Sequence, residues 1–499
     1  MKQSLIAETP SQDSLPANTL KRSLKTRHLN MISIGGALGT GLFLASGASI
    51  STAGPGGALL AYSILGIMIY FIMTSLGEMA TYLPLPGSFG TYANRFVDPA
   101  FGFAIGWNYW FSWALTIAVE LVASAFIMKF WFPDTPSCLW SALFLAALFS
   151  LNFLSTRAYG ESEFIFASIK IAMVIVFLIL GTLLILGVIG GNSPGFTNWT
   201  IGDAPFVGGL PATFSICMIA AFSFMGTEIV GIAAGESENP AKNVPKAISN
   251  VFWRILIFYI GTMIVIGFLL PYTDPNLLKS DMESVAISPF TLALHRTGLA
   301  AAASIMNFVL LTAVLSCGSS SLYAATRMLY ALAQEGQAPR ILARTNRRGV
   351  PAYALLATAA CGLLAFLTSF IGEGAAYTWL LNLSGMTGFI IWLGIAICHY
   401  RFRRAFLAQG HSLDELPYRA PLFPFGIYFA ILLCTIIILG QNYQAFLGSE
   451  INWRGVVSTY LGLPLILLIY LGYKWRHHTT LIPLTKVNLT KEHAPQSKN

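Results

Sequence analysis

Charge is what this chain has least of. Only 10% of its 499 residues are Asp, Glu, Lys or Arg, where a soluble domain carries about 25%. So few charges cannot cover a water-exposed globular surface, and 55% of the residues are hydrophobic. The chain reads as an all-α polytopic membrane protein with one integral domain. Cysteine is scarce too. Cys138, Cys217, Cys317, Cys361, Cys398 and Cys434 stand singly, with no metal-ligand or redox spacing, and read as small apolar residues in helix packing. The histidines form no cluster within the apolar runs; His477 and His478 fall at an interface. No Gly-rich phosphate loop is present, which argues against ATP-driven transport, and no nucleophile–base pattern marks an enzyme. No cofactor and no metal are expected. The net charge of +8 comes without a basic stripe interleaved with aromatics. Topology and contact with membrane lipids account for it, and nucleic acid is not a partner.

Long apolar runs are what the sequence does have. Twelve reach the ~20 residues needed to cross a bilayer, at roughly 31–50, 57–83, 102–131, 137–156, 162–190, 210–234, 250–270, 297–330, 352–371, 375–400, 422–440 and 458–475. Residues 1–30 read as a polar tail and not a cleavable signal. Residues 476–499 read as a second, disordered tail. Lys129, Lys279, Arg296 and Arg454 fall on one side of the membrane and Lys170 inside the fifth span. Every other Lys and Arg, Arg254 and Arg327 among them, falls on the side of the two termini. That bias predicts cytoplasmic termini.

Two of these runs are weakened by glycine, about 1 kcal/mol worse than alanine per helical position. The first carries "GGALGTGLFLASG" (35–47), the sixth "FSFMGTEIVGIAAGE" (222–236). Leu38-Gly39-Thr40-Gly41-Leu42 answers Met225-Gly226-Thr227-Glu228-Ile229, five spans apart and so running in opposite directions. Weak similarity between inverted halves points to a transporter with broken helices. Backbone freed at the breaks lines a cavity, where amides hold an anion and carbonyls a cation. An α-amino acid presents both. Close helix packing through Gly35 and Gly39 is the alternative for the first stretch alone.

The stretches "HLNMISIGGALGTGLFLASG", "AGPGGALLAY", "SLGEMATYLPLPGSFGTYA", "GFAIGWNYW", "FSFMGTEIVGIAAGESENPAKNVPKAI" and "TRMLYALAQEGQAPR" resemble the amino acid permeases of the amino acid–polyamine–organocation superfamily, over about residues 20–475. "WNYWFSWALTIAVELVAS" and "LLNLSGMTGFIIWLGIAICHYRFRR" are similar to its bacterial lysine-transporting members. The resemblance implies a LeuT-like five-plus-five inverted repeat with broken helices 1 and 6. Residues 31–190 would form the first repeat, 210–400 the second, and 422–475 the two spans outside. It implies uptake of L-lysine with protons by alternating access, in a bacterial inner membrane.

Charges inside a membrane are costly and rarely idle. Lys170 is expected to carry the coupled proton, since a lysine in low dielectric can lose its charge; snorkelling to the surface is the alternative. The resemblance puts it near the first-span break and hydroxyls of the eighth span such as Ser319 and Ser320, where sodium-coupled relatives bind sodium. Glu228 either braces the sixth-span break or pairs with a cationic substrate or proton. Glu120 is a second deep acid for either task, and Glu78 a gate or structural acid. Tyr109 and Trp113 share one helix face and serve as site walls or packing. Phe222 matches the family position that closes over substrate. Gly39, Thr40, Gly41 and Met225 complete the expected substrate site. Two other classes compete: a channel, and a lysine sensor contacting a membrane partner through Asp274, Asp281 and Glu283, which otherwise form a solvated loop.

Overall fold

The computed structural model describes residues 24–490 except 36–37, 44, 86, 190–192, 279–288, 291, 293–301, 368–372, 441–442, 447–450, 452, 454–455, 457–459 and 461. Of Thr40 and Phe222 the backbone alone is described. Among the described residues the secondary structure is helical. The exception is one parallel bridge, in which Leu24 pairs with Ser237. There the Leu24 N–H donates to the Glu236 carbonyl and the Glu238 N–H to the Leu24 carbonyl, both at 3.1 Å.

The first apolar run is not one helix. Non-helical residues at Leu38 and Gly39 part α1 (Thr26–Gly35) from the helical residues that follow, α2 (Thr40–Phe43) and α3 (Ala45–Tyr82). Helix α1 begins within the stretch read as a tail. Inside α3, Gly54 has φ 72°, cheap only for glycine, and Pro55 follows with the φ of a helix start. A Cβ on Gly54 would lie 2.6 Å from the Pro205 carbonyl oxygen. That oxygen accepts from the Gly56 and Gly57 N–H groups, so the 204–208 loop caps this bend.

After the short α4 (Phe89–Phe96) come α5 (Pro99–Met128), α6 (Ser137–Leu154) and α7 (Thr156–Ile185). The most apolar window of α5 is 89% buried and that of α6 only 28%. Helix α5 is therefore the central post, packed against later helices, and α6 turns Leu139 and Leu143 outward as lipid-facing helices do. Asp98 caps α5, accepting from the Ala100 N–H at 3.0 Å and from Lys474 Nζ at 2.8 Å. Burial works to raise the Asp98 carboxyl, but the Lys474 ammonium and the donors around it outweigh burial and hold it below the usual carboxylate range.

The sixth run also divides, into α8 (Thr197–Thr200) on the approach, then α9 (Gly209–Ser215), α10 (Cys217–Phe224) and α11 (Ile229–Ala234). The seventh is longer than its apolar stretch. It runs from Pro240 through α12 (Pro240–Arg254), a π-helical stretch (Ile255–Ile260) and α13 (Gly261–Leu269). Arg254, assigned from sequence to the side of the termini, is buried at 1% exposure. A short α14 (Pro275–Leu278) precedes α15 (Ala302–Gln334), α16 (Ala352–Cys361), α17 (Glu373–Ala408), α18 (Phe425–Gly440) and α19 (Gly462–His477). Arg327, assigned to the same side, sits in α15 at 1% exposure. Among the described residues six helices are long and apolar enough to cross a membrane, with shorter apolar helices at 352–367 and 425–440.

The segment after α19 is not a disordered tail throughout. The Ile482 N–H donates to the Val97 carbonyl at 2.9 Å. Gln409 Nε2 donates to the Leu484 and Val487 carbonyls at 3.0 and 2.8 Å, and Val487 and Leu489 are buried. Backbone acceptors and two apolar anchors fix a strap, with a 3-10 turn at Leu484–Lys486, that polar composition alone does not reveal.

Candidate functional site

The second broken helix builds its own site. Between α10 and α11 the chain turns through Gly226 at φ 91°, a conformation that costs glycine little. The Gly226 N–H, freed from the helix ladder, donates to both Glu228 carboxylate oxygens at 3.2 and 3.3 Å. Trp392 Nε1 of α17 donates to Glu228 at 3.4 Å. Glu228 is 2% exposed, and here it braces the turn. Met225 packs on Gly388, where an added Cβ would meet its sulfur at 3.1 Å.

Tyr109 and Trp113 stand beside this turn on α5. Their rings meet edge-to-face at 5.9 Å, and Phe89 closes on Tyr109 at 4.8 Å. Glu228 is a charged neighbour of Tyr109. Among the described residues, neither the Tyr109 hydroxyl nor the Trp113 indole N–H finds a hydrogen-bond partner outside that pair. Buried polar groups are normally satisfied, so two such groups together mark a place for a polar guest or water. The side chain of Phe222 lies outside the described residues.

The remaining expected residues gather around Cys317 of α15. Gly39, at the first break, lies where an added Cβ would be 3.6 Å from the Cys317 side chain, and the Leu42 and Phe43 N–H groups return to the Gly39 carbonyl. Gly41 is buried, and the side chain of Thr40 lies outside the described residues. Glu120 of α5 and Lys170 of α7 are both charged neighbours of Cys317. The expected residues thus fall into two groups, one at each break. Arg254 is a charged neighbour of both Glu228 and Lys170.

Lys170 is fully buried, which corrects the snorkelling alternative. Its partners also differ from those expected. Nζ donates to Ser316 Oγ at 2.9 Å and lies 3.7 Å from Glu163 Oε1. Ser319 instead receives the Asn152 amide at 3.1 Å, and Ser320 donates to Glu163 at 3.2 Å. The cause is level along the axis: Ser316 shares a face of α15 with Ser319 and Ser320 but lies one turn, about 5 Å, away. Glu163 escapes the sequence reading because "GESEF" looks like a polar span end. Only its seven-residue spacing from Lys170, about two turns on one face, signals the contact.

Nearer the start of α7 a second buried ion pair joins Glu236 to Arg327. Arg327 Nε donates to Glu236 Oε1 at 2.7 Å, as does the Tyr323 hydroxyl. Thr156 Oγ1 donates to Oε2 at 2.6 Å. Glu78 is likewise a structural acid, held by Arg403 and by the Ala420 N–H at 2.7 Å. Of the expected sensor loop, Asp281 and Glu283 lie outside the described residues, and Asp274 is buried, so it is not a solvated contact residue.

Broken apolar helices around sealed charges define an all-helical, multi-pass membrane protein. The fold is shared with a solved manganese transporter of Eremococcus coleocola, at a TM-score of 0.52 and 15% identity, over 91% of this chain and 94% of that one. The chain belongs to the amino acid permease family, whose sequence profile matches residues 28–481. It is 57% identical to the lysine-specific permease LysP of Escherichia coli, over 94% of this chain and 96% of that protein. It is 50% identical to LysP of Lactococcus lactis and 49% identical to the histidine permease HisP of the same species, each over at least 95% of both chains.

Proposed function

We propose that this chain imports L-lysine together with protons by alternating access across a bacterial inner membrane, with both termini cytoplasmic. Twelve spans are arranged as two inverted five-span repeats, 31–190 and 210–400, with 422–475 outside them. The likeness to lysine-specific permeases over nearly the full length carries the substrate. The matched breaks at Gly39–Gly41 and Gly226 support the inverted repeat.

The substrate carboxylate binds backbone amides around Gly39, Thr40 and Gly41, which a glycine-rich break leaves open to close approach. Tyr109, Trp113 and Phe222 wall the side chain, and Met225 fills the floor. A ring face against an ammonium adds on the order of 1 kcal/mol. Glu228 pairs with the substrate's positive charge, exchanging its hold on Gly226 and Trp392 for the ammonium, and Glu120 is the second acid. Lys170 carries the coupled proton.

The test is uptake of labelled lysine into proteoliposomes with an inward proton gradient, challenged by arginine, ornithine, histidine and neutral amino acids. Lysine alone should compete strongly, and lysinamide, lacking the carboxylate, should compete far more weakly. Equal competition by histidine would favour the reading that the histidine-permease likeness supports. Equal competition by lysinamide would remove the carboxylate site.

A further inference from the structure

Glu163 has no role in the transport cycle just described, yet it is fully buried beside the group given the proton. The Lys170 ammonium does not touch it directly; the 3.7 Å gap is longer than a hydrogen bond. Ser316 fills that gap. Its hydroxyl accepts from Lys170 at 2.9 Å and lies 2.8 and 2.7 Å from the two Glu163 oxygens, to which it donates. The other donor to Glu163 is the Ser320 hydroxyl, itself 3.1 Å from the Tyr159 hydroxyl. A buried ion pair repays its desolvation only with strong, well-formed contacts, and this one is linked through a single hydroxyl. The charged pair is therefore held less tightly than a directly hydrogen-bonded one, with a hydroxyl path for a proton between its members.

Resting on the proton-coupled reading above, we infer that Glu163 is the proton acceptor for Lys170, through Ser316. The proton on Nζ moves to Ser316 Oγ while the serine's own hydroxyl proton moves to a Glu163 oxygen. The N–H bond electrons remain on nitrogen as the amine lone pair, and a neutral carboxylic acid replaces the carboxylate. Neither group is then a bare buried charge. Glu163 also stands two turns nearer the Thr156 end of α7, the cytoplasmic end in the proposed topology, so the transfer carries the proton inward. Glu120 of α5, Arg254 of α12, Cys317 of α15 and Tyr159 of α7 are the other ionisable groups facing the pair; none sits within the hydroxyl bridge.

The experiment compares gradient-driven lysine accumulation with lysine counterflow at equal pH, in proteoliposomes of the full chain. Glu163→Gln should lower accumulation on the order of 100-fold, as loss of a proton-transfer group does, and leave counterflow within about twofold of wild type. Ser316→Ala keeps both charges and removes the relay; it should slow accumulation about tenfold. Wild-type accumulation in Glu163→Gln, or parallel loss of accumulation and counterflow, overturns the inference. If Glu163→Gln does not fold, an unchanged rate in Ser316→Ala overturns it instead. Failure of the wild type itself to accumulate lysine on a proton gradient would instead refute the proton-coupled reading.

Discussion

Two buried ion pairs lie along the contact between α7 and α15, and they are built differently: Glu163 and Lys170 both stand on α7 and meet Ser316 of α15, whereas Arg327 of α15 reaches Glu236, just beyond α11. Glu236 and Arg327 meet through several direct contacts. Arg327 donates to both carboxylate oxygens and to Thr156, its guanidinium lies 4.2 Å over the Tyr323 ring, and Tyr323 stacks on Tyr159 at 4.1 Å. Lys170 and Glu163 share one serine hydroxyl. The guanidinium cannot lose its proton in a protein, so the first pair is fixed in charge as well as in place. An ammonium can lose its proton when buried. The α7–α15 contact thus has a rivet to the segment after α11 near one level and a titratable link at the next.

The largest expected effect is on the rivet. Arg327→Met leaves Glu236 buried without its partner and should cost about 3–5 kcal/mol, seen as loss of monodisperse protein or a steep fall in Tm. Glu228→Gln comes next. The amide still accepts from Gly226 and Trp392, so the protein should fold, but lysine uptake should vanish because a dry charge pair is worth several kcal/mol; uptake near the wild-type rate would remove Glu228 as charge partner. Lys170→Ala should cost less stability than Arg327→Met, about 1–3 kcal/mol, because Glu163 can take up a proton. It should keep lysine binding and lose gradient-driven accumulation. Equal stability losses in the Lys170 and Arg327 variants would erase the contrast between the pairs.

The smallest effect is at Asp98, outside the spans. Asp98→Ala should lower stability by about 1 kcal/mol through the lost helix cap. Because the folded carboxyl is depressed, its contribution is fully present above the unfolded pKa and fades as pH falls through the folded one. The Tm difference between wild type and variant should therefore shrink in acid and persist at neutral pH.

The sequence announces whatever depends on composition or on glycine. The apolar runs, the two breaks, and Tyr109 facing Trp113 follow from spacing along one chain. Lys170 stands out because a charge amid apolar neighbours is conspicuous. Its partners do not. Ser316 and Glu163 are ordinary residues until α7 and α15 are placed side by side. Counting basic residues by side assigns Arg254 and Arg327 to the side of the termini, since each lies near that end of its apolar run; it does not register whether such a residue faces water or a neighbouring helix. The continuous helix from α12 to α13 starts at Pro240, ten residues before its apolar run, so Arg254 stands mid-helix among packed neighbours. The C-terminal strap was hidden for a related reason: Gln409 and Val97 hold it through backbone groups, which carry no residue signature.

The bridge between Leu24 and Ser237 reaches further than its two hydrogen bonds. It joins the chain just ahead of α1 to the chain just beyond α11, the outlying ends of the two interrupted helices. The two half-helices are therefore tied to one another by main chain, independently of any side chain at the breaks. Leu24→Pro would remove the donor to Glu236 and leave the tie resting on the Glu238 N–H alone.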